Sequence, residues 1–281
     1  LHLGRPWYFY WTAPYFNSMG VWPQFRSPLT WDFFAVLTYL AVSALFWFLG
    51  ILPDLASARD RARTRGWQLF FGVLSLGWRG QAAHWLRWRQ AYALIAAIAV
   101  PLVVSVHSEI SLLFAAGPLH GWNSTVFPPY FVLGAAFSGF AVVSMIAILM
   151  RRALPLQDLV TPRHLDLLGK ALLATGLMTA YGYFAEVFDA LYAGGGELAS
   201  LHDRLTGAYA WSYWGALLLN FVPLQALWWR PARRKPLVLF LVSLAVATGM
   251  WLERFMLVVT SLQRDWLPSS TGHYHPTLWD W

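Results

Sequence analysis

The chain has 281 residues, of which 58% are hydrophobic and 12% charged, with a mean hydropathy of +0.48. That charged share is about half that of an ordinary soluble domain, so disorder is excluded and an integral membrane protein is the leading class. Cys is absent, which excludes disulfides, cysteine-ligated Fe–S clusters, zinc-thiolate sites and covalently attached c-type haem in this chain.

Residues 1–30 are aromatic and interrupted by Pro6, Pro14, Pro23 and Pro28, and they read as an interfacial loop. Six apolar stretches long enough to cross about 30 Å of hydrocarbon follow, at 31–52, 91–115, 128–150, 166–193, 209–229 and 237–259. The expected organisation is therefore all-α. The loop 1–30 precedes two spans of a first bundle (31–115) joined by a basic loop at 53–90. A second, four-helix bundle (116–261) and an outer-face loop (262–281) complete it. Residues 1–8 read as the exit of a preceding helix and 275–281 as the entrance to a following one, so further spans are expected on both sides.

The basic residues orient the spans. Seven Arg lie in 53–90, three more are Arg151, Arg152 and Arg163, and four lie at Arg230, Arg233, Arg234 and Lys235. Fourteen of the 20 Lys and Arg thus share one side, which the positive-inside rule makes cytoplasmic. The net charge of +7 is read as this topology signal and as lipid contact, and no nucleic-acid partner is expected.

A charge at the bilayer centre costs about 2.5–3.5 kcal/mol on insertion scales, so each intramembrane polar group calls for a reason. The candidates are Asp32, Tyr39, His107, Ser108, Glu109, Lys170, Tyr181, Glu186, Asp189, Asn220, Glu253 and Arg254. A rise of about 1.5 Å per residue puts His107 and Glu253 roughly 24 Å, and Glu186 roughly 30 Å, from the basic side. The ionisable groups gather toward the opposite, outer face, with Tyr181 and Asn220 nearer the middle. Adjacent Glu253 and Arg254 need separate partners unless Arg254 curls back, and an Arg254–Glu186 or Arg254–Asp189 pair is one way to supply them. Packing and interfacial solvation are the ordinary alternatives for Asp32, Tyr39, Tyr181, Asp189, Glu253 and Arg254.

Of eight His, only His107 lies inside a span, which argues against a bis-His haem. No His and carboxylate set has helical metal spacing, so no metal is expected. One buried His near carboxylates and a Tyr suits quinol chemistry, because imidazole titrates near neutral pH and a desolvated carboxyl can be raised into that range. The electrons would leave to a cofactor outside this chain. A proton or ion transporter and a purely structural anchor use the same buried groups and stay open.

The stretch Gly121-Trp-Asn-Ser-Thr-Val-Phe-Pro-Pro-Tyr-Phe-Val-Leu-Gly-Ala-Ala-Phe-Ser-Gly139 resembles a signature of the polysulfide-reductase (NrfD-like) membrane-subunit family, most closely the C subunit of alternative complex III. The segments His2–Trp7, Trp31-Asp32, Ser105–Ser108, Arg163–Asp166, Tyr181–Glu186, Glu253–Met256 and Gln263–Asp265 extend the resemblance along nearly the whole chain. It implies about ten spans in two four-helix bundles with flanking helices, in a bacterial inner membrane. It further implies menaquinol or ubiquinol as substrate, no haem or Fe–S in this chain, and an Fe–S partner at the outer face. Partners of the same complex would include c-type haem subunits and a paralogous NrfD-like subunit. In that frame Asp32 and His107 take quinol protons, with Arg5, Tyr39 and Glu109 in support. Tyr181, Glu186, Asp189, Asn220, Glu253 and Arg254 form a second cluster suited to moving protons.

Overall fold

The structure, a computed structural model, describes residues 10, 12–16, 19–117, 119–122, 124–154, 156–263, 272 and 274. The expectations placed on Arg5 and on residues 264–271 lie outside these. Every regular element among the described residues is helical. The chain divides into two compact units, Leu1–Ile110 and Ser111–Trp281.

The first unit begins with α1 (Pro28–Arg61), whose Pro28 occupies a first-turn position that needs no N–H donor. Helix α2 (Arg65–Leu74) packs beside it, and α3 (Ala82–Ala115) runs from this unit into the next. Both α1 and α3 overrun their apolar stretches into the Arg-rich turns. At the basic end a small core forms from Leu52, Ala56 and Trp78, with Phe48 and Trp88 against it. Aromatic contacts tie α1 to α3: the Phe46 and Tyr92 rings stack at 4.5 Å, and the Trp88 indole N–H donates to the Leu49 carbonyl at 2.7 Å.

The second unit is a bundle of α4 (Phe127–Ala153), α5 (Pro162–Ala193), α7 (Ala210–Phe221) and α9 (Pro236–Phe255). Short α6 (Gly195–Thr206) joins α5 to α7 at one end, and five-residue α8 (Arg230–Arg234) lies at the other, basic end. Phe137, Leu165, Leu172, Leu224, Leu239 and Val246 fill the interior. Between lipid-exposed helices the hydrophobic effect gives little attraction, so close packing of small residues takes over. Gly182 receives the Tyr130 ring, and Gly176 receives Leu224 and Phe137.

Among the described residues five helices are long and apolar enough to cross a membrane. The sixth expected span, 209–229, is not one helix. It is α7 followed by a 3₁₀ segment, Pro223–Trp228, because Pro223 has no N–H to continue the α-helical ladder. Twelve α-helical residues rise about 18 Å. Six in 3₁₀ form rise about 12 Å, so end to end the two pieces match the hydrocarbon thickness.

Candidate functional site

In the second unit the polar groups converge where α6 closes the bundle. The loop 119–122 reaches this end through Gly121, whose φ of +83° lies in the left-handed region. A Cβ there would stand 2.8 Å from Arg204 Nη2, so the position is closed to a side chain on both counts. Arg204, on α6 and only 4% exposed, forms an ion pair with Glu186 of α5 and donates from Nη2 to the Gly121 carbonyl at 2.8 Å. The Gly121 N–H in turn donates to Glu197 of α6 at 2.7 Å, and His120 Nδ1 donates to the same carboxylate at 3.3 Å. Burial acts to lower the Arg204 pKa, but attraction and hydrogen bonding from Glu186 outweigh it and the net shift is upward. Arg204 is therefore a fixed cation. Ser124 donates to Asp189 at 3.1 Å, bringing the second α5 carboxylate to the rim of the same cleft. The cleft has roughly 20 Å³ of free space, room for about one water.

Further into the bundle, Tyr183 donates to Glu253 at 2.6 Å, and Glu253 is 1% exposed. Arg254 curls back to the Glu253 carboxylate at 3.3 Å, and its guanidinium lies 4.0 Å above the Phe131 ring. The expected Arg254–Glu186 or Arg254–Asp189 pair is replaced by these contacts. Glu186 is taken by Arg204, which reaches it from α6. Just beyond Arg254 the α9 ladder widens to a π-helical turn, Met256–Thr260, a distortion that recurs at functional sites.

One turn from Glu253 toward the basic end, Asn220 is fully buried against Gly249, which has no room for a Cβ. Its amide N and O have no hydrogen-bond partner among the described residues. Below it Phe137, Val246 and Leu224 form a wholly apolar layer. Among the described residues the next ion pairs in that direction stand at the basic end. There Arg233 donates to Asp166 at 2.8 Å and to the Leu227 carbonyl at 2.6 Å, and Lys170 pairs with Asp166 at 3.1 Å.

Tyr181 does not join the cluster. It is 70% exposed on the outside of α5, and Tyr183, two residues on and so on the opposite face, fills the interior position. The other residues that sequence reasoning misses are Arg204, Ser124 and Glu197. In the sequence Arg204 is one of a few basic residues outside the Arg-rich loops. Its signal is that Glu186 needs a cation, and α6 carries one within reach of the C-terminal end of α5.

In the first unit Asp32 is 4% exposed near the start of α1. Its surroundings are fixed by Trp31 and Thr30, which donate to the Phe25 and Gln24 carbonyls at 2.7 and 3.2 Å. Tyr39 is 38% exposed. His107 Nδ1 lies 2.8 Å from the Val103 carbonyl, which can only accept, so Nδ1 carries a proton and Nε2 is left as the basic nitrogen of the neutral ring. The Glu109 carboxylate oxygens are buried, and two residues on from His107 they face another way round α3. No group of three or more His, Asp or Glu among the described residues is placed to hold a metal ion.

Residues 1–264 match the family model described as "Polysulphide reductase, NrfD". A relative from Halobacterium salinarum, the putative membrane C subunit of a dimethyl sulfoxide reductase, is 31% identical over 257 residues, which cover 89% of this chain and 55% of the relative. The chain thus spans about half the length of the curated relative it matches. With the match running through both units, from residue 1 past the π-helical turn of α9, the chain belongs to the polysulphide reductase NrfD family.

Proposed function

We propose that this chain is the haem-free membrane subunit of a quinol-oxidising electron-transfer complex of the alternative complex III type. Family membership and the name of the halobacterial relative, a membrane subunit of a reductase, support a place in a redox complex. The observation that carries the reading is His107. With Nδ1 committed to Val103, Nε2 is the one ring nitrogen able to take a proton from a quinol hydroxyl.

Oxidation of a quinol to a quinone releases two protons and two electrons. His107 Nε2 and the Asp32 carboxylate are the two proton acceptors, and Arg5, Tyr39 and Glu109 position the ring. The electrons pass to an Fe–S partner subunit, with c-type haem subunits beyond it. The second cluster, Glu186, Asp189, Glu253, Arg254 and Asn220, with Tyr183 in the place given to Tyr181, handles protons on their way inward from α6. The basic ends of the helices face the cytoplasm, so the quinol site opens toward the outer face of a bacterial inner membrane.

The test is quinol oxidation by the assembled complex. His107→Ala and Asp32→Asn each lower turnover by about a hundredfold or more, the lower end of what a positioned acid or base contributes, while the partner subunits still co-purify. Unchanged turnover in both variants would sink the site. A proton transporter without redox chemistry is the second reading, and it draws on the buried Tyr183–Glu253 pair. It requires the chain to purify without Fe–S or haem partners.

A further inference from the structure

Between α1 and α3 the chain makes a surface that neither quinol nor proton chemistry uses. Helix α2 has no buried residue, although Trp67, Phe70, Phe71 and Leu74 recur at the spacing of one helical face and Leu69 and Val73 widen it. Its opposite side is polar, with Arg65 and Gln68. The segment 53–90 holds seven Arg against two acids, Asp54 and Asp60. Asp60 is taken by Arg59 at 2.8 Å. Arg61, Arg63 and Arg65 are exposed and have no carboxylate partner among the described residues.

The helix is nevertheless held in place. Arg59 Nη1 donates to the Trp78 carbonyl at 2.8 Å, fixing the chain that leaves α2, and Gln68 donates to the Ala62 carbonyl at 3.2 Å, fixing the chain that enters it. Trp78 and Trp85 stand edge to face at 5.1 Å, and Trp85 and Trp88 at 5.7 Å, so the neighbouring turn carries the amphipathic aromatic rings typical of a membrane interface.

We propose that α2 lies in the headgroup layer at the basic end of the first unit and, with Arg61, Arg63 and Arg65, forms a binding site for an anionic phospholipid. The aromatic stripe enters the acyl region, and the guanidinium groups take the phosphate oxygens, for which their planar donor forks are suited. A soluble phosphate would use the Arg residues and leave the stripe bare. A lipid satisfies both, the stripe on the ten-residue helix and the Arg residues on its first turn and the segment that leads into it.

The experiment is native mass spectrometry of the full-length protein extracted in mild detergent and given equimolar phosphatidylglycerol and phosphatidylcholine. Each Arg near an anionic surface contributes about fivefold to binding, so the protein retains phosphatidylglycerol at least tenfold over phosphatidylcholine. The triple variant Arg61→Gln, Arg63→Gln, Arg65→Gln loses most of that preference. The pair Trp67→Gln, Phe70→Gln keeps every charge and still loses retained lipid. Equal retention of the two lipids by the unaltered protein overturns the proposal without need of any variant. Displacement of the lipid by sn-glycerol 3-phosphate at equal concentration overturns it as well, since it would reduce the site to a phosphate pocket.

Discussion

Apolar helices long enough to span a membrane are used in opposite ways in the two units. In α9 of the second unit, 39% of the most apolar stretch is buried within the chain, whereas in α1 of the first unit the figure is 6%. The difference follows from what each helix offers its neighbours. The bundle helices present glycines where rings and a Leu side chain enter, at Gly176 and Gly182, and where the Asn220 amide enters, at Gly249, and they set buried polar groups opposite one another. Helix α1 presents Leu37, Leu40, Leu45 and Trp47 outward, and it meets α3 through a few aromatic contacts. A lipid bilayer satisfies such side chains as well as another helix does, so a long apolar helix by itself does not specify a partner. Specificity comes from the small residues and the paired polar groups, and these are concentrated in the second unit.

The sharpest way to break this contrast is at Arg204. Arg204→Ala leaves Glu186 as a buried carboxylate without its cation and removes the donor to the Gly121 carbonyl. Breaking one side of a buried pair costs about 3–5 kcal/mol, and the thermal midpoint of the detergent-purified protein falls accordingly. Replacing both partners, Glu186→Ala with Arg204→Ala, restores part of the loss, because no unpaired charge remains. A double variant as unstable as the sum of the two singles would show that Glu186 and Arg204 do not act as a pair.

Deeper in the same bundle, Tyr183→Phe keeps the ring against Tyr130 and Phe221 and removes only the hydroxyl that Glu253 accepts. A hydrogen bond to a charged group is worth about 1.5–3 kcal/mol, so the loss is smaller than at Arg204. Glu253→Gln in the Tyr183→Phe background then costs less than Glu253→Gln alone. Additive losses in this cycle would mean that the two groups are energetically independent.

Much of this architecture is legible from the sequence, because its physics is local. Apolar length gives the helices and Arg placement marks a basic end within each unit, while the stretch Gly121–Gly139 contains Ser124 and Tyr130, both of which the structure places in the second cluster. What the sequence hides is pairing across space. Glu186 and Arg204 are separated by 18 residues and a helix reversal at Gly194, whose φ is +67°, and no periodicity connects them. Tyr181 and Tyr183 differ only in which face of α5 they occupy. Deciding between them requires knowing that Gly182 packs against Tyr130, a contact made by α4. The break at Pro223 is visible as a residue, but its consequence is not, since membrane helices also accommodate proline without changing form, as α3 does at Pro101.

The smallest expected effect tests the other side of the comparison. Trp47 is 66% exposed on α1 and Trp251 is 54% exposed on α9, so both indoles face largely outward from their units. Trp47→Leu and Trp251→Leu both exchange one lipid-compatible side chain for another, and each shifts the stability of the isolated protein by about 0.5 kcal/mol or less. In the assembled complex the two diverge if α1 is sparsely buried because a partner helix covers it. Trp47→Leu then loosens the association, since aromatic side chains carry a disproportionate share of interface energy, whereas Trp251→Leu leaves it unchanged. Measured as subunit retention during detergent washing, equal retention by both variants would assign the Trp47 face of α1 to lipid rather than to another subunit.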